Sequence, residues 1–448
     1  MILAEKNVPY SQIIKISLPI IIGGIAQNII LATDVFFMSR VSEVSLDAVG
    51  LAGLFFATLY TLAFGFSIGV QILIARRHGE KKYHSIGDIF DNSLIIHLLL
   101  ALVLWAVMQW VAPAILQQLI SSDAVYQEAI IYLDHRAWGI TFAVMNLVFR
   151  AFFIGISAPS IITSSTIVVA VANVILNYAL IFGNWGFPAW GIKGSAVASS
   201  LAEIVGTFVF AGYILIGKYH VSFDLFKTWK WNPQVIRQVS KISSPVMFQY
   251  FISHAGWFLF FIIIEQNGER ALAISVIIRM VYMFQMVPFW GFSSAANTLV
   301  SFLIGEGRID AVMPLLRRIT VLAVLTSLLF IIPNLIAPEW VLSFAVESPD
   351  STIIQQSIPT LYMITLALFF FSFGLMGFSG ISGSGNTRAA LLIETFLIAV
   401  YVIVAWFLGI YLTSEVHIIW LTEPFYFLMM GVISWMYMRS GKWKGKVI

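Results

Sequence analysis

The chain has 448 residues, of which 60% are hydrophobic and only 10% charged. Soluble globular proteins carry about 25% charged residues, so this composition excludes an ordinary soluble domain and reads as a polytopic membrane protein. There is no cysteine, which excludes disulfides, thiolate zinc sites and thiol nucleophiles. The formal net charge of +3 matters less than where the charges sit.

Apolar runs long enough to span a bilayer fall at 14–39, 47–75, 92–120, 130–155, 160–183, 194–217, 242–264, 271–304, 314–337, 355–380, 388–412 and 416–438. The N-terminal stretch lacks a signal-peptide pattern, so the first run is read as a retained helix. The loops between the runs alternate in charge. One set, with both ends of the chain, holds 19 of the 25 Lys and Arg residues, including Lys6, Arg76, Arg77, Lys230, Arg318 and Lys446. The other set holds Arg40, Arg136, Lys193 and Arg270, while Arg150 and Arg279 lie within apolar runs. This bias places both termini in the cytoplasm and requires an even number of helices. The widest cytoplasmic connection, 218–241, mixes basic and aromatic residues and reads equally as an interfacial helix or a plain linker.

The two halves resemble each other. Lys15-Ile16-Ser17-Leu18-Pro19 recurs as Lys241-Ile242-Ser243-Ser244-Pro245, displaced by 226 positions. The segment 65–80, GFSIGVQILIARRHGE, recurs at 291–306 with the same displacement. Gly155-Ile156-Ser157 recurs as Gly380-Ile381-Ser382, one position off that displacement. The expected fold is therefore all-α and membrane-embedded. It has twelve helices as two six-helix lobes with pseudo-twofold symmetry: 1–217, a cytoplasmic linker 218–241, and 242–448. Secondary transporters are often built from such repeats. Pro19 and Pro245 are expected near helix starts, Gly79 and Gly305 at left-handed helix ends, and Glu80 and Glu306 paired in basic loops.

Chemistry concentrates in the first half. Asp34 is the one charge in a 23-residue apolar stretch, 17–39. A carboxylate there costs at least about 2.5 kcal/mol to insert, so it reads as a functional group that exchanges a proton or small cation. Gln27 lies seven residues earlier on the same face. Helix 5 carries Thr166, Asn173 and Asn177; helix 6 carries Ser195, Ser199 and Glu203, each four apart. Three polar faces in lipid are expected to turn inward and meet. In the second half the position matching Asp34 is Phe260. That half offers Gln249, Tyr250, His254, Trp257, Arg279 and Met286, types that suit either core packing or binding of flat organic cations. Arg279 is expected to pair with Glu394 or Glu423. No zinc-protease pattern or phosphate-binding loop occurs, so neither an enzyme nor a nucleotide-driven motor is indicated.

Taken in order, several stretches resemble the multidrug and toxin extrusion (MATE) family: TDVFFMSRVS, GFSIGVQILIARRHGE, NVILNYALIFG with GIKGSAVASS, the helix 8 run, and GISGSGNTR. The pattern is closest to the DNA-damage-inducible-F-like branch. That resemblance implies a V-shaped, two-lobed antiporter exporting organic, drug-like compounds against protons or sodium ions by alternating access. It implies a cation-linked site at Asp34, Asn173, Asn177 and Ser199, to which spacing adds Gln27 and Glu203. Relatives often carry an aspartate at the position of Asn177. Its loss here favours proton over sodium, since a hard cation wants more oxygen and charge. A sodium ion at Asp34, Asn173 and Asn177 remains the metal alternative. The further expectations are a monomer in the inner (plasma) membrane, with small organic substrates and the lipid bilayer as partners, no cofactor and no nucleic acid. The rival reading within the same superfamily is a flippase for lipid-linked oligosaccharides. The few basic residues within the membrane count against it.

Overall fold

The computed structural model describes residues 8–227, 231–346, 351–412 and 415–445. Lys6, Lys230 and Lys446 lie outside them. Among the described residues, twelve helices are long and apolar enough to cross a membrane: α1 Tyr10–Met38, α2 Glu43–Gly79, α3 Tyr83–Leu119, α4 Asp123–Gly155, α5 Ser160–Phe182, α6 Gly191–Ile216, α7 Pro233–Glu265, α8 Glu269–Gly305, α9 Ile309–Ile336, α10 Thr352–Gly383, α11 Thr387–Leu412 and α12 Val416–Arg439. In lipid every backbone polar group must be satisfied internally, so an all-helical chain is the expected solution.

The repeat recurs in the packing. In the first half α4 is the most buried helix and packs on α2, α3 and α6, with α5 on α6. In the second half α10 takes the same place against α8, α9 and α12, with α11 on α12. The chain forms two compact units whose boundaries fall inside helices: one holds 22–247, the other holds 1–21 with 248–448. The two boundaries lie 226 residues apart and follow Pro19 and Pro245 by two residues each. Both prolines sit well inside α1 and α7, not in their first turns. The amphipathic extensions that precede each apolar run are helical too, which moves the helix starts upstream. Each proline removes a backbone donor within its helix.

Two further expectations shift by a residue or two. The left-handed residues after α2 and α8 are Lys81 (φ 58°) and Gly307 (φ 76°), again 226 apart, while Gly79 and Gly305 remain helical. Glu80 bonds Arg77 at 2.6 Å and Lys82 at 3.0 Å, and Glu306 bonds Arg308 at 3.2 Å. Partial burial pushes the Glu80 carboxyl up. The Lys82 and Arg77 donors and their charges outweigh that and hold it below the usual glutamate value.

Over the described residues 218–227 the connection after α6 makes a single helical turn, Tyr219–Ser222, with Lys218 before it and Asp224 and Phe226 after it in left-handed backbone, and no interfacial helix forms there. Side chains of α3 hold it. Asp91 Oδ1 accepts from the Phe226 amide at 2.8 Å, Asn92 Oδ1 accepts from Asn232 at 3.0 Å, and His84 meets Asp224 at 2.7 Å. Lys227 also pairs with Asp224, and with His84 it holds that carboxyl below its ordinary value.

Candidate functional site

The first-half site begins with how α5 ends. Gly183 turns the chain in left-handed backbone (φ 73°), and the Trp190 amide returns to donate to the Leu180 carbonyl at 2.9 Å. Gly194 then lets α6 lie against α5. A Cβ there would stand 2.4 Å from the Leu180 carbonyl oxygen. This close crossing sets Asn173 and Asn177 of α5 opposite Ser199 of α6.

Asp34 of α1 closes the group into a ring. Asn177 Nδ2 donates to Asp34 Oδ1 at 2.6 Å and to Asn173 Oδ1 at 3.0 Å. Asn173 Nδ2 donates to Ser199 Oγ at 3.1 Å, and Ser199 Oγ donates to Asp34 Oδ2 at 3.2 Å. All four residues are buried, Asp34 at 8% exposure and Asn177 at 0%. Hydrogen bonds to a charged group contribute about 1.5–3 kcal/mol each, enough to offset much of the insertion cost of one carboxylate. One atom stands out of the pattern: Asn177 Oδ1 is buried and has no donor among the described residues. The ring thus offers an acid, an orphan acceptor and other oxygens within a small volume.

The remaining first-half candidates lie around the ring without joining it. Gln27 is half-buried on α1 and makes none of the ring bonds. Thr166 donates to its own helix at Ile162, and Ser195 is buried. Glu203 belongs to a separate cluster, where its Oε2 and its backbone carbonyl both accept from Asn146 Nδ2 of α4 at 2.9 Å. Thr207 completes that cluster at 2.8 Å from Asn146 Oδ1. Spacing alone put Glu203 on the Ser199 stripe, but α4 inserts its own polar side chain there.

Arg136 is the residue that sequence reasoning misplaced. Counted with the loops, it lies within α4 at 8% exposure, its guanidinium 4.3 Å over the Phe56 ring. Its charge acts on Asp34, and Tyr132, one turn earlier, bonds it.

In the second half the six polar and aromatic candidates do not gather at one place. His254 is exposed, its Nδ1 against the Tyr250 carbonyl at 2.9 Å. Tyr250, Gln249 and Met286 are half-buried. Trp257 Nε1 donates to Glu423 at 3.1 Å. Arg279 makes no ion pair with Glu394 or Glu423 among the described residues; it stacks 5.2 Å over Phe261. The two glutamates are held by neutral donors instead, so they do not recruit it. No group of three or more His, Cys, Asp or Glu that could hold a metal ion occurs among the described residues.

A twelve-helix membrane protein made of two repeats, with a buried carboxylate ring in one of them, is built as a multi-pass membrane transporter. The MatE family model matches residues 19–179 and 245–407, one match per half, and the chain belongs to that transporter family; it is not an enzyme. The chain is 24% identical over 461 residues to a probable multidrug resistance protein NorM of Thermotoga maritima, covering 100% of this chain and 96% of that one. A probable NorM of Rhizobium meliloti is 30% identical over 251 residues, 55% of this chain and 54% of its own. Among solved structures, a MOP superfamily transporter from Pyrococcus furiosus superposes with a TM-score of 0.90 at 20% identity over 98% of both chains. An outward-facing multidrug resistance MATE family transporter gives the same figures. At such identity the likeness is one of fold.

Proposed function

We propose that this chain exports small organic, drug-like compounds by alternating access, in exchange for protons taken up at Asp34. The observation that carries the reading is the closed ring of Asp34, Asn177, Asn173 and Ser199 with its one orphan acceptor. The NorM names of the relatives support the substrate class. A single carboxylate in the ring supports a proton over sodium, since a sodium ion wants several oxygens with compensating charge.

The chemistry follows from donors and acceptors. Ionised Asp34 accepts from Asn177 on one oxygen and from Ser199 on the other. Protonation turns one oxygen into a donor and weakens it as an acceptor, so the new O–H needs an acceptor of its own and the bond that oxygen received is loosened. If the Asn177 amide turns over, its Oδ1 receives the new O–H and its Nδ2 leaves Asn173. The α1–α5 contact is then rebuilt, and α1 shifts. Coupling requires that this shift disfavour bound substrate, so that proton and substrate bias one equilibrium in opposite directions. In this reading the protein sits in the inner (plasma) membrane with both termini cytoplasmic, an orientation that the basic loops support.

The test is transport of a cationic dye by the purified protein in liposomes under separately imposed proton and sodium gradients. A proton gradient should drive uptake, and Asp34→Asn should abolish the coupled part. Full coupled transport by Asp34→Asn would refute the role given to Asp34. Transport driven by sodium alone would refute the choice of ion.

A further inference from the structure

In the repeat, α7, α11 and α12 take the places of α1, α5 and α6, the three helices of the Asp34 ring. They too carry a buried polar cluster, with the acid on different helices. Asp34's counterpart Phe260 is fully buried, packed on Trp420 at 5.1 Å and Tyr401 at 5.4 Å between ring centroids. The carboxyls come instead from Glu394 of α11 and Glu423 of α12, 2% and 3% exposed.

The two acids are held differently. Glu423 accepts from three neutral donors: Tyr401 Oη at 2.8 Å and Trp257 Nε1 at 3.1 Å on Oε1, and Tyr282 Oη at 3.4 Å on Oε2. Glu394 takes Tyr426 Oη at 2.7 Å and the Ser253 hydroxyl, both on Oε1. Its Oε2 is buried and has no donor among the described residues. Ser253 has one hydrogen and two acceptors in reach, Glu394 Oε1 and the Gln249 carbonyl at 2.9 Å. The Gln249 side-chain oxygen, one turn before Ser253, is also buried without a donor. The cluster is short of hydrogens on the Glu394 side.

Among the described residues no cation makes up the deficit. Around Glu394 the ionisable neighbours are Tyr426 of α12 and, within electrostatic reach, Tyr250 of α7. Around Glu423 they are Tyr282 of α8 and Tyr401 of α11. Arg279, one turn before Tyr282, stands on Phe261, and His254 of α7 is exposed. A buried carboxyl oxygen with neither a donor nor a cation against it among the described residues is relieved of its charge by taking up a hydrogen ion.

We propose that Glu394 is a proton-binding carboxyl of the second half, which takes a proton on its donor-free Oε2. Only an O–H bond forms, with the proton drawn from water. The inference stands on the second half's own geometry and does not depend on the role given to Asp34.

The experiment is pH-difference infrared spectroscopy of the carboxyl C=O stretch on the full-length protein in liposomes. Glu394→Gln should remove one protonated-carboxyl band that Asp34→Asn retains. An unchanged spectrum in Glu394→Gln, or loss of every such band in Asp34→Asn, would overturn the proposal. Tyr426→Phe removes a donor to Oε1 and should move that band to higher frequency. An unmoved band would likewise count against it, and this variant decides the matter by itself if Glu394→Gln does not fold. Sodium chloride added at fixed pH should leave the band untouched; its disappearance would assign Glu394 to a metal cation and defeat the proton reading.

Discussion

Asp34, Asn177 and Ser199 show how much a few hydrogen atoms decide. Asn177→Ala removes the 2.6 Å donor to Asp34 and should destabilise the first unit by about 1.5–3 kcal/mol, read by thermal unfolding in detergent. Ser199→Ala, which loses a bond of 3.2 Å, should cost less. Asn177→Asp places a second carboxylate in the ring and should make dye transport respond to sodium, where protons are the coupling ion proposed for the native chain. Glu203→Gln keeps the oxygen that accepts from Asn146 and lies outside the ring, so the pH profile of transport should not move. A moved profile would bring Glu203 back into the coupling site. Asp34 and its three partners were legible in the sequence, because four-residue spacing on α5 and α6 is a helical face. Asn146 and Arg136 were not. Their place depends on which face of α4 meets the bundle, and α4 is buried on nearly every side.

At the level of helices, the crossing of α5 and α6 is set by one hydrogen atom on Gly194. Gly194→Ala should push α6 away from the Leu180 carbonyl, destabilise the fold by about 1–3 kcal/mol and weaken coupled transport together. Gly53→Ala on α2 meets nothing within 4 Å and should be neutral or stabilising by up to about 1 kcal/mol, which makes it the control in the same melting assay. The apolar runs located every spanning helix, since burial in lipid demands their length. Their ends were less legible. Pro19 and Pro245 read as helix starts only because the polar turns before them do not look like membrane. Helix capping places the left-handed residue by backbone geometry, so it fell on Lys81 and Gly307 and not on the preceding glycines.

For the whole molecule, the natural absence of cysteine makes orientation directly measurable. Ser440→Cys should react with an impermeant thiol reagent only after cells are opened, and Arg40→Cys should react in intact cells; both positions are exposed. The reverse pattern would invert the topology. The loop ion pairs predict a pH dependence of stability. The folded Glu80 carboxyl titrates below its unfolded value of about 4.3, so its contribution is full above that value and is lost as pH falls through the lower, folded one. Glu80→Gln should therefore lower the melting temperature at neutral pH and converge with the native chain in acid. The effect should be small, about 0.5 kcal/mol or less, because the pair is solvent-screened.

By itself the sequence determined the number of helices, the two-part repeat, the alternation of basic and non-basic loops and the three polar faces around Asp34. Each of these is a one-dimensional pattern imposed by the bilayer or by helical periodicity. The tertiary structure decided which polar faces meet. It closed the Asp34 ring, set Glu203 with Asn146, buried Arg136, kept Arg279 from the glutamates and gathered tyrosines around Glu394 and Glu423. Such pairings depend on the rotation and crossing of whole helices, which no spacing along one chain encodes.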